Sequence, residues 1–226
     1  MKKGIMHIIT VGCGKMVKAL ETACNVSEVS HAPFNPNGSR IASSVAVHFG
    51  SGRQFAELHS YCSERCIPII QGSTGQKLPE RIGTPIVEAP NLALPIVYLM
   101  GVVRDVQFRF ETMGLSKCKV QESHQATKKS VAGTAIKFAE AIKLNPEEIF
   151  QFREPDVQRR LGVPEEHLER HGYHWIKWAF PDIEVEFVTK VHGLRPYALG
   201  ALTVARGLLL ELSTLDNKVY PVNNFI

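Results

Sequence analysis

The chain has 226 residues, of which 44% are hydrophobic and 21% charged, with a formal net charge of +4. This is enough apolar chain for one large cored domain or two small ones, and it excludes a disordered or fibrous protein. The positive charge is mild and scattered, with no Lys/Arg block interleaved with aromatics, so no nucleic-acid partner is expected and small anions stay compatible.

The apolar run from Ile5 to Val11 stops at Gly12-Cys13-Gly14, and Val17, Leu20 and Cys24 then recur at helical spacing, giving strand, glycine turn and helix. Val26–Ser30 reads as a short second strand and His31–Arg40, rich in Pro, Asn, Gly and Ser, as a loop. Ser44–Phe49 reads as a buried strand ending at Gly50-Ser51-Gly52, and Phe55, Leu58 and Cys62 mark a helix. Ile67–Ile70 is a strand closed by Gly72-Ser73-Thr74-Gly75, and Pro85–Val87 one closed by Ala89-Pro90-Asn91. Strands alternating with helices, each closed by small residues, predict a parallel sheet wound with helices, whose ligands bind at the carboxyl ends of the strands.

Leu99, Val103, Val106, Phe110 and Met113 recur at 4, 3, 4, 3 spacing and predict a helix, although Val106, Phe108 and Phe110 also alternate like a strand. Lys117–Gln121 reads as a strand delivering Glu122 and His124, and Asn145-Pro146-Glu147-Glu148 as a capped helix start. Gln151–His171 is polar, broken by Pro155 and Pro164, and gives no assignment. Ile183, Val185, Phe187 and Val191 alternate with charged residues as in a half-exposed strand, and Arg195-Pro196 opens an apolar final helix to Leu212.

Five cysteines (Cys13, Cys24, Cys62, Cys66, Cys118) are an odd number with no C-x-x-C pair, which predicts free thiols in a reducing cytoplasm. No secretory signal is read, and the run from Leu92 to Val103 is too short for a membrane span, so a soluble cytoplasmic protein is expected. His167, His171 and His174 invite a metal reading, but their spacing fits no helical pair and no Cys or carboxylate is seen to complete a set. No metal is expected; surface positions or packing are. Trp175 and Trp178 are read as core or interface.

The chemistry concentrates in Glu122–Ala135, where His124, Lys128 and Lys129 precede Gly133-Thr134. Ile136, Phe138, Ala139 and Ile142 follow at near-helical spacing, so Gly133 and Thr134 should open a helix whose free N–H groups suit a small carboxylate anion. His124 is placed to supply a proton to that anion.

Gly12-Cys13-Gly14-Lys15-Met16-Val17 keeps the first two glycines of G-x-G-x-x-G, with Val17 in place of the third. At this point the chain resembles the 4-hydroxy-tetrahydrodipicolinate (dihydrodipicolinate) reductase family. Lys15-Met16-Val17 stands where that family carries Arg-Met-Gly; His48-Phe49-Gly50 is similar to its Asp-Phe-Thr/Ser, and Gly72-Ser73-Thr74-Gly75 to its Gly-Thr-Thr-Gly. Ala89-Pro90-Asn91-Leu92 is similar to its Ala-x-Asn-Phe, and Glu122–Ala135 resembles its Glu-x-His-His-x-x-Lys-x-Asp-x-Pro-Ser-Gly-Thr-Ala with one residue deleted. Arg195 and Gly200-Ala201 are similar to the family's closing Arg and Gly-Ala.

The resemblance implies an α/β fold: a Rossmann-type nucleotide-binding domain from residues 1–92 and 195–226, and an inserted α+β substrate and oligomerisation domain with a mixed sheet over 93–194. It also implies NAD(P)H-dependent reduction of a cyclic dicarboxylate in lysine and diaminopimelate biosynthesis, by a homotetramer. Carried over, His124 is the proton donor and Lys128 its neighbour, while Gln125, Gly133 and Thr134 bind substrate. Gly12, Gly14, Lys15, Met16, Phe49, Gly72, Ser73, Thr74 and Asn91 line the cofactor. No acidic residue follows the short second strand, where His31, Ser39 and Arg40 stand instead, and this leans toward NADPH over NADH. Gln125, Ser130 and Val131-Ala132 depart from the family pattern. A reductase of another cyclic imine, or a non-catalytic nucleotide- or metabolite-binding protein on the same scaffold, are the alternatives.

Overall fold

The computed structural model describes residues 6–50, 52–73 and 78–226. In chain order its main elements are β1 (His7–Val11), α1 (Lys15–Val26), β2 (Ser30–Pro33), β3 (Ser44–His48), α2 (Phe55–Arg65), β4 (Ile69–Gln71) and β5 (Ile86–Glu88). There follow α3 (Leu94–Thr112), β6 (Lys117–His124), α4 (Gly133–Ala141), β7 (Phe150–Phe152), α5 (Pro155–Arg160), β8 (His171–Ala179), β9 (Glu184–His192), α6 (Arg195–Glu211) and β10 (Val219–Pro221). The chain divides into two compact units, Met1–Leu94 with Leu194–Ile226, and Pro95–Gly193.

In the first unit the described strands pair in the order β10-β5-β4-β3-β1-β2, every neighbour parallel. Parallel strands need crossovers and are covered on both faces, which is why β1 and β3 read as unbroken apolar runs and are buried along their whole length. Ile9, Ala46, Phe55, Leu58 and Ile69 belong to one core cluster of this unit. Gly200 of α6 lies so close to the Leu92 carbonyl that a Cβ there would collide with it. The Gly200-Ala201 step is therefore a packing requirement, met by the absence of a side chain.

In the second unit the order is β7-β6-β8-β9, with β6 parallel to β7 and antiparallel to β8, and β8 antiparallel to β9. The mixed sheet is the one expected. Helix α3 forms as its 4, 3, 4, 3 spacing predicts, and it is tied to the sheet by Trp178 Nε1 donating to Gln107 Oε1 at 2.8 Å and by the Phe110–Trp178 ring contact. Helix α4 docks through Phe138, fully buried and 5.6 Å from the His174 ring centroid.

Four expectations are corrected. The second strand is Ser30–Pro33, because α1 runs on to Val26 and the chain must reverse at Glu28 (φ 53°) before it can lie along β1. Residues 146–148 form a single 3-10 turn with Asn145 Oδ1 accepting from the Glu147 N–H, and Ile149 is already extended toward β7. Strand β8 was not foreseen: it is buried on both faces, so the apolar/polar alternation that reveals a half-exposed strand is missing. Strand β10 was missed for its shortness, three residues at the sheet edge. Ile5, Ser51, Thr74 and Gly75 lie outside the described residues.

No helix among the described residues is long and apolar enough to cross a membrane.

Candidate active site

The carboxyl ends of the first unit's strands are laddered side by side. Phe49 N–H donates to the Val11 carbonyl at 2.8 Å, Gly72 N–H to His48 at 3.0 Å and Ala89 N–H to Gln71 at 2.9 Å. Gly12 has φ +117°, and a Cβ on it would stand 3.1 Å from the Phe49 carbonyl carbon. Gly72 is pressed against the Phe49 ring, so a side chain there would displace it. The two glycines and Phe49 are thus one mutually fitted surface at the sheet's end.

Gly14 is the N-cap of α1, and a Cβ added to it meets open space. No side chain caps this helix and no acidic residue occupies its first turn, where Lys15 and Met16 lie, so its leading N–H groups and partial positive charge face outward. Val17 is buried and fills the place of a third glycine with core packing. Ser73 follows Gly72, its carbonyl accepting from Gln71 Nε2 at 3.5 Å, and Asn91 Oδ1 accepts from the Ala93 N–H at 2.9 Å. Thr74 lies outside the described residues. The lean toward NADPH loses part of its ground: His31 is inside β2, hydrogen-bonded to Asn25 Oδ1 at 3.0 Å, and the strand ends instead at Pro33 before Phe34 and Asn35. No acidic residue stands there either.

The second cluster is built by β6 and β8. Period-two alternation puts Glu122 and His124 on one face of β6, and the antiparallel register sets His174 opposite Glu122 and Gly172 opposite His124. Glu122 is completely buried. Its Oε1 accepts from Arg153 Nη2 at 2.5 Å and from the Ala132 N–H at 3.3 Å, while its Oε2 is in contact with His124 Nδ1. Burial pushes the Glu122 pKa up, but hydrogen bonds and charge from His124 and Arg153 outweigh it and hold the carboxylate at about 2.

His174 is buried, its Nδ1 hydrogen-bonded to Thr189 Oγ1 at 3.1 Å, and burial together with the charge of His124 lowers its pKa to about 3 despite the Glu122 carboxylate. His171 is held by Ser123 Oγ at 2.8 Å and the His167 carbonyl at 3.0 Å; burial lowers its pKa too. Of surface placement and packing, the two expected alternatives, packing holds for His171 and His174. The ground for setting a metal aside is corrected, since potential ligand atoms of Glu122, His124 and His174 lie within 4.8 Å of one another. Arg153 holds Glu122 Oε1 and His124 Nδ1 faces Oε2, so a cation there would have the Arg153 charge beside it.

Gln125 and Lys128 follow on a turn closed by Lys128 N–H donating to the Gln125 carbonyl at 2.9 Å, and Lys128 Nζ reaches Ser130 Oγ at 3.5 Å. Helix α4 starts at Gly133 with Ala132 as N-cap and no side-chain cap bond, so Gly133 and Thr134 open it as expected. Arg153 and Gln158, in the segment that gave no assignment, are what the sequence reading missed. Gln158 is buried and donates to the His124 carbonyl at 2.7 Å and the Phe152 carbonyl at 3.1 Å. Their only sequence signal is charge and polarity in a region where both are common.

A parallel sheet with a glycine turn after its first strand, interrupted by a unit with a mixed sheet, defines a Rossmann-type protein with an inserted α+β unit. No family model matches the chain. It is 30% identical over 178 residues to a probable 4-hydroxy-tetrahydrodipicolinate reductase 1, chloroplastic, of Oryza sativa subsp. japonica, covering 72% of this chain and 52% of the relative. It is 30% identical over 182 residues to the corresponding reductase 1 of Arabidopsis thaliana, covering 73% and 51%. The chain thus spans about half the length of these plant relatives. The structure of a dipicolinate-bound dihydrodipicolinate reductase from Paenisporosarcina sp. TG-14 superposes with a TM-score of 0.66 at 12% identity, covering 98% of this chain and 100% of that one. The chain is a divergent member of the 4-hydroxy-tetrahydrodipicolinate reductase family.

Proposed function

We propose that this protein is an NAD(P)H-dependent oxidoreductase that reduces 4-hydroxy-tetrahydrodipicolinate to tetrahydrodipicolinate, as the names of its relatives suggest. The observation that carries the reading is the His124 imidazole held at Nδ1 by the buried, ionised Glu122, in the strand that leads to Lys128 and the start of α4. A carboxylate on one ring nitrogen orients the imidazole, leaving Nε2 as the atom that delivers the proton. Lys128 neutralises a substrate carboxylate, and the first N–H groups of α4 at Gly133 and Thr134 receive another. Gln125 contributes a neutral amide where the family has a second His.

The first unit's residues fit a dinucleotide. The open space at Gly14, the bare positive end of α1 and the flat surface of Gly12, Phe49 and Gly72 are what a pyrophosphate and its ribose require. When bound there, NADPH or NADH supplies the hydride. The lean to NADPH rests on the absence of an acidic residue after β2 and the presence of Arg40. A cytoplasmic homotetramer belongs to the same proposal.

The test is NADPH and NADH oxidation with freshly made 4-hydroxy-tetrahydrodipicolinate, run beside related cyclic imines. Turnover confined to another imine would support the second reading, which Ser130 favours: it takes the place of the family's Asp and is the residue Lys128 Nζ reaches. Neither turnover nor nucleotide binding by calorimetry would sink both.

A further inference from the structure

A proton donor and a carboxylate-binding lysine four residues apart on a turn need something to hold the turn. The guanidinium of Arg153, at the end of β7, reaches it from outside. Its Nη2 donates to Glu122 Oε1 at 2.5 Å and to Gln151 Oε1 at 2.8 Å, its Nε to the Lys128 carbonyl at 3.0 Å and its Nη1 to the Phe152 carbonyl at 3.2 Å. Glu122, on the other side of this ion pair, takes the Ala132 N–H at 3.3 Å and pairs with His124 Nδ1.

We infer that Arg153 and Glu122 are positioning residues for this site: one buried ion pair fixes the His124 ring, the Lys128 backbone and the entry to α4 together. The inference rests on the reading of His124 as proton donor and Lys128 as carboxylate partner. The chemistry of the two side chains fits the task. Arginine offers donors in a rigid planar fork, so it can hold a carboxylate with one nitrogen and a carbonyl with another; lysine, a single point of charge on a flexible stem, cannot hold both in fixed directions. A buried carboxylate offers acceptor capacity on both oxygens, and Glu122 divides them between Arg153 with Ala132 on one side and His124 on the other. Both partners are shielded, with side-chain exposure of 17% for Arg153 and 0% for Glu122, so solvent screening does not loosen the arrangement.

Arg153→Lys, Arg153→Gln and Glu122→Gln test this against the wild-type chain. Three readouts are needed: the imidazole Nδ1–H resonance of His124 by 15N-edited NMR, kcat and KM for the dicarboxylate, and the NADPH Kd. In wild type the Nδ1–H proton should appear far downfield as a carboxylate-bonded imidazole proton. It should be lost in Glu122→Gln and displaced in Arg153→Lys, with kcat down about 10- to 100-fold and KM raised in the latter, since misplacement of about 1 Å carries such a cost. NADPH affinity should not change, which shows that the chain is folded. A folded Arg153→Lys with wild-type kcat and KM and an unmoved resonance would overturn the inference. If wild type proves inactive on the dicarboxylate, the functional reading fails by itself; the resonance then decides alone, its survival in Glu122→Gln counting against the ion pair's role and its loss in favour. Should Arg153→Gln not fold, Arg153→Lys, which keeps the charge, carries the comparison.

Discussion

Gly172 lies directly opposite His124 across the β6/β8 ladder, and a Cβ on Gly172 would stand 3.1 Å from His124 Nε2. The same imidazole is anchored from behind by Glu122 at Nδ1. One neighbour fixes the ring and the other leaves it room. Gly172→Ala is therefore expected to tilt the ring and lower kcat about tenfold or more, with little change in nucleotide affinity. Steady-state kinetics beside NADPH titration check this; an unchanged kcat would mean that Nε2 is not the working atom.

Removing the proposed acid and its partner gives the most direct result. His124→Ala should lower turnover on the order of 100- to 10,000-fold, the usual worth of a positioned general acid, with the circular dichroism spectrum retained. Lys128→Ala should act chiefly on KM for the dicarboxylate, because its charge meets the substrate before the reaction as well as during it.

The glycines of the first unit separate binding from folding. Gly14 has φ −83° and ψ 179°, which any residue adopts, and open space around its would-be Cβ. Gly14→Ala should leave thermal stability unchanged while weakening NADPH binding about tenfold or more, since the side chain enters the space that a pyrophosphate takes. Gly12→Ala should instead destabilise the fold by about 1–3 kcal/mol, because its φ of +117° is strained for an L-residue and its Cβ would press on the Phe49 backbone. Calorimetric titration and thermal melts of both variants distinguish the two effects.

His174 makes stability depend on pH. Unfolded, this imidazole takes a proton below its ordinary 6.5; folded, burial keeps it neutral down to about 3. The unfolded chain thus binds more protons in that window, and stability falls as pH drops below 6.5. From pH 7 to pH 5 the loss from this residue is about 2 kcal/mol, at about 1.4 kcal/mol per pKa unit. His174→Asn, which keeps a polar group toward Thr189, should flatten that part of the profile in urea unfolding at the two pH values. A slope identical to wild type would contradict it.

Much of this protein was legible in one dimension because the signals are local. The burial of β1 and β3 on both faces shows as apolar runs, the turn at Gly12-Cys13-Gly14 as small residues, and the helical period of α3 and α4 as spacing. His124, Lys128 and the Gly133-Thr134 helix start stand within a dozen residues and were read together. The residues that hold them were not. Arg153 reaches Glu122 from 31 positions away and Gln158 reaches His124 from 34, while Gly172 and His174 meet β6 only through the antiparallel register of β8. Strand β8 gave no alternation because both its faces are buried, and a buried His or Arg looks like a surface one until its partners are known. The sequence by itself determined most of the local elements and where the candidate chemical groups lie along the chain. Only strand pairing in the folded chain decided what surrounds His124, since hydrogen-bonded register, unlike helical or strand period, is a property of two distant segments at once.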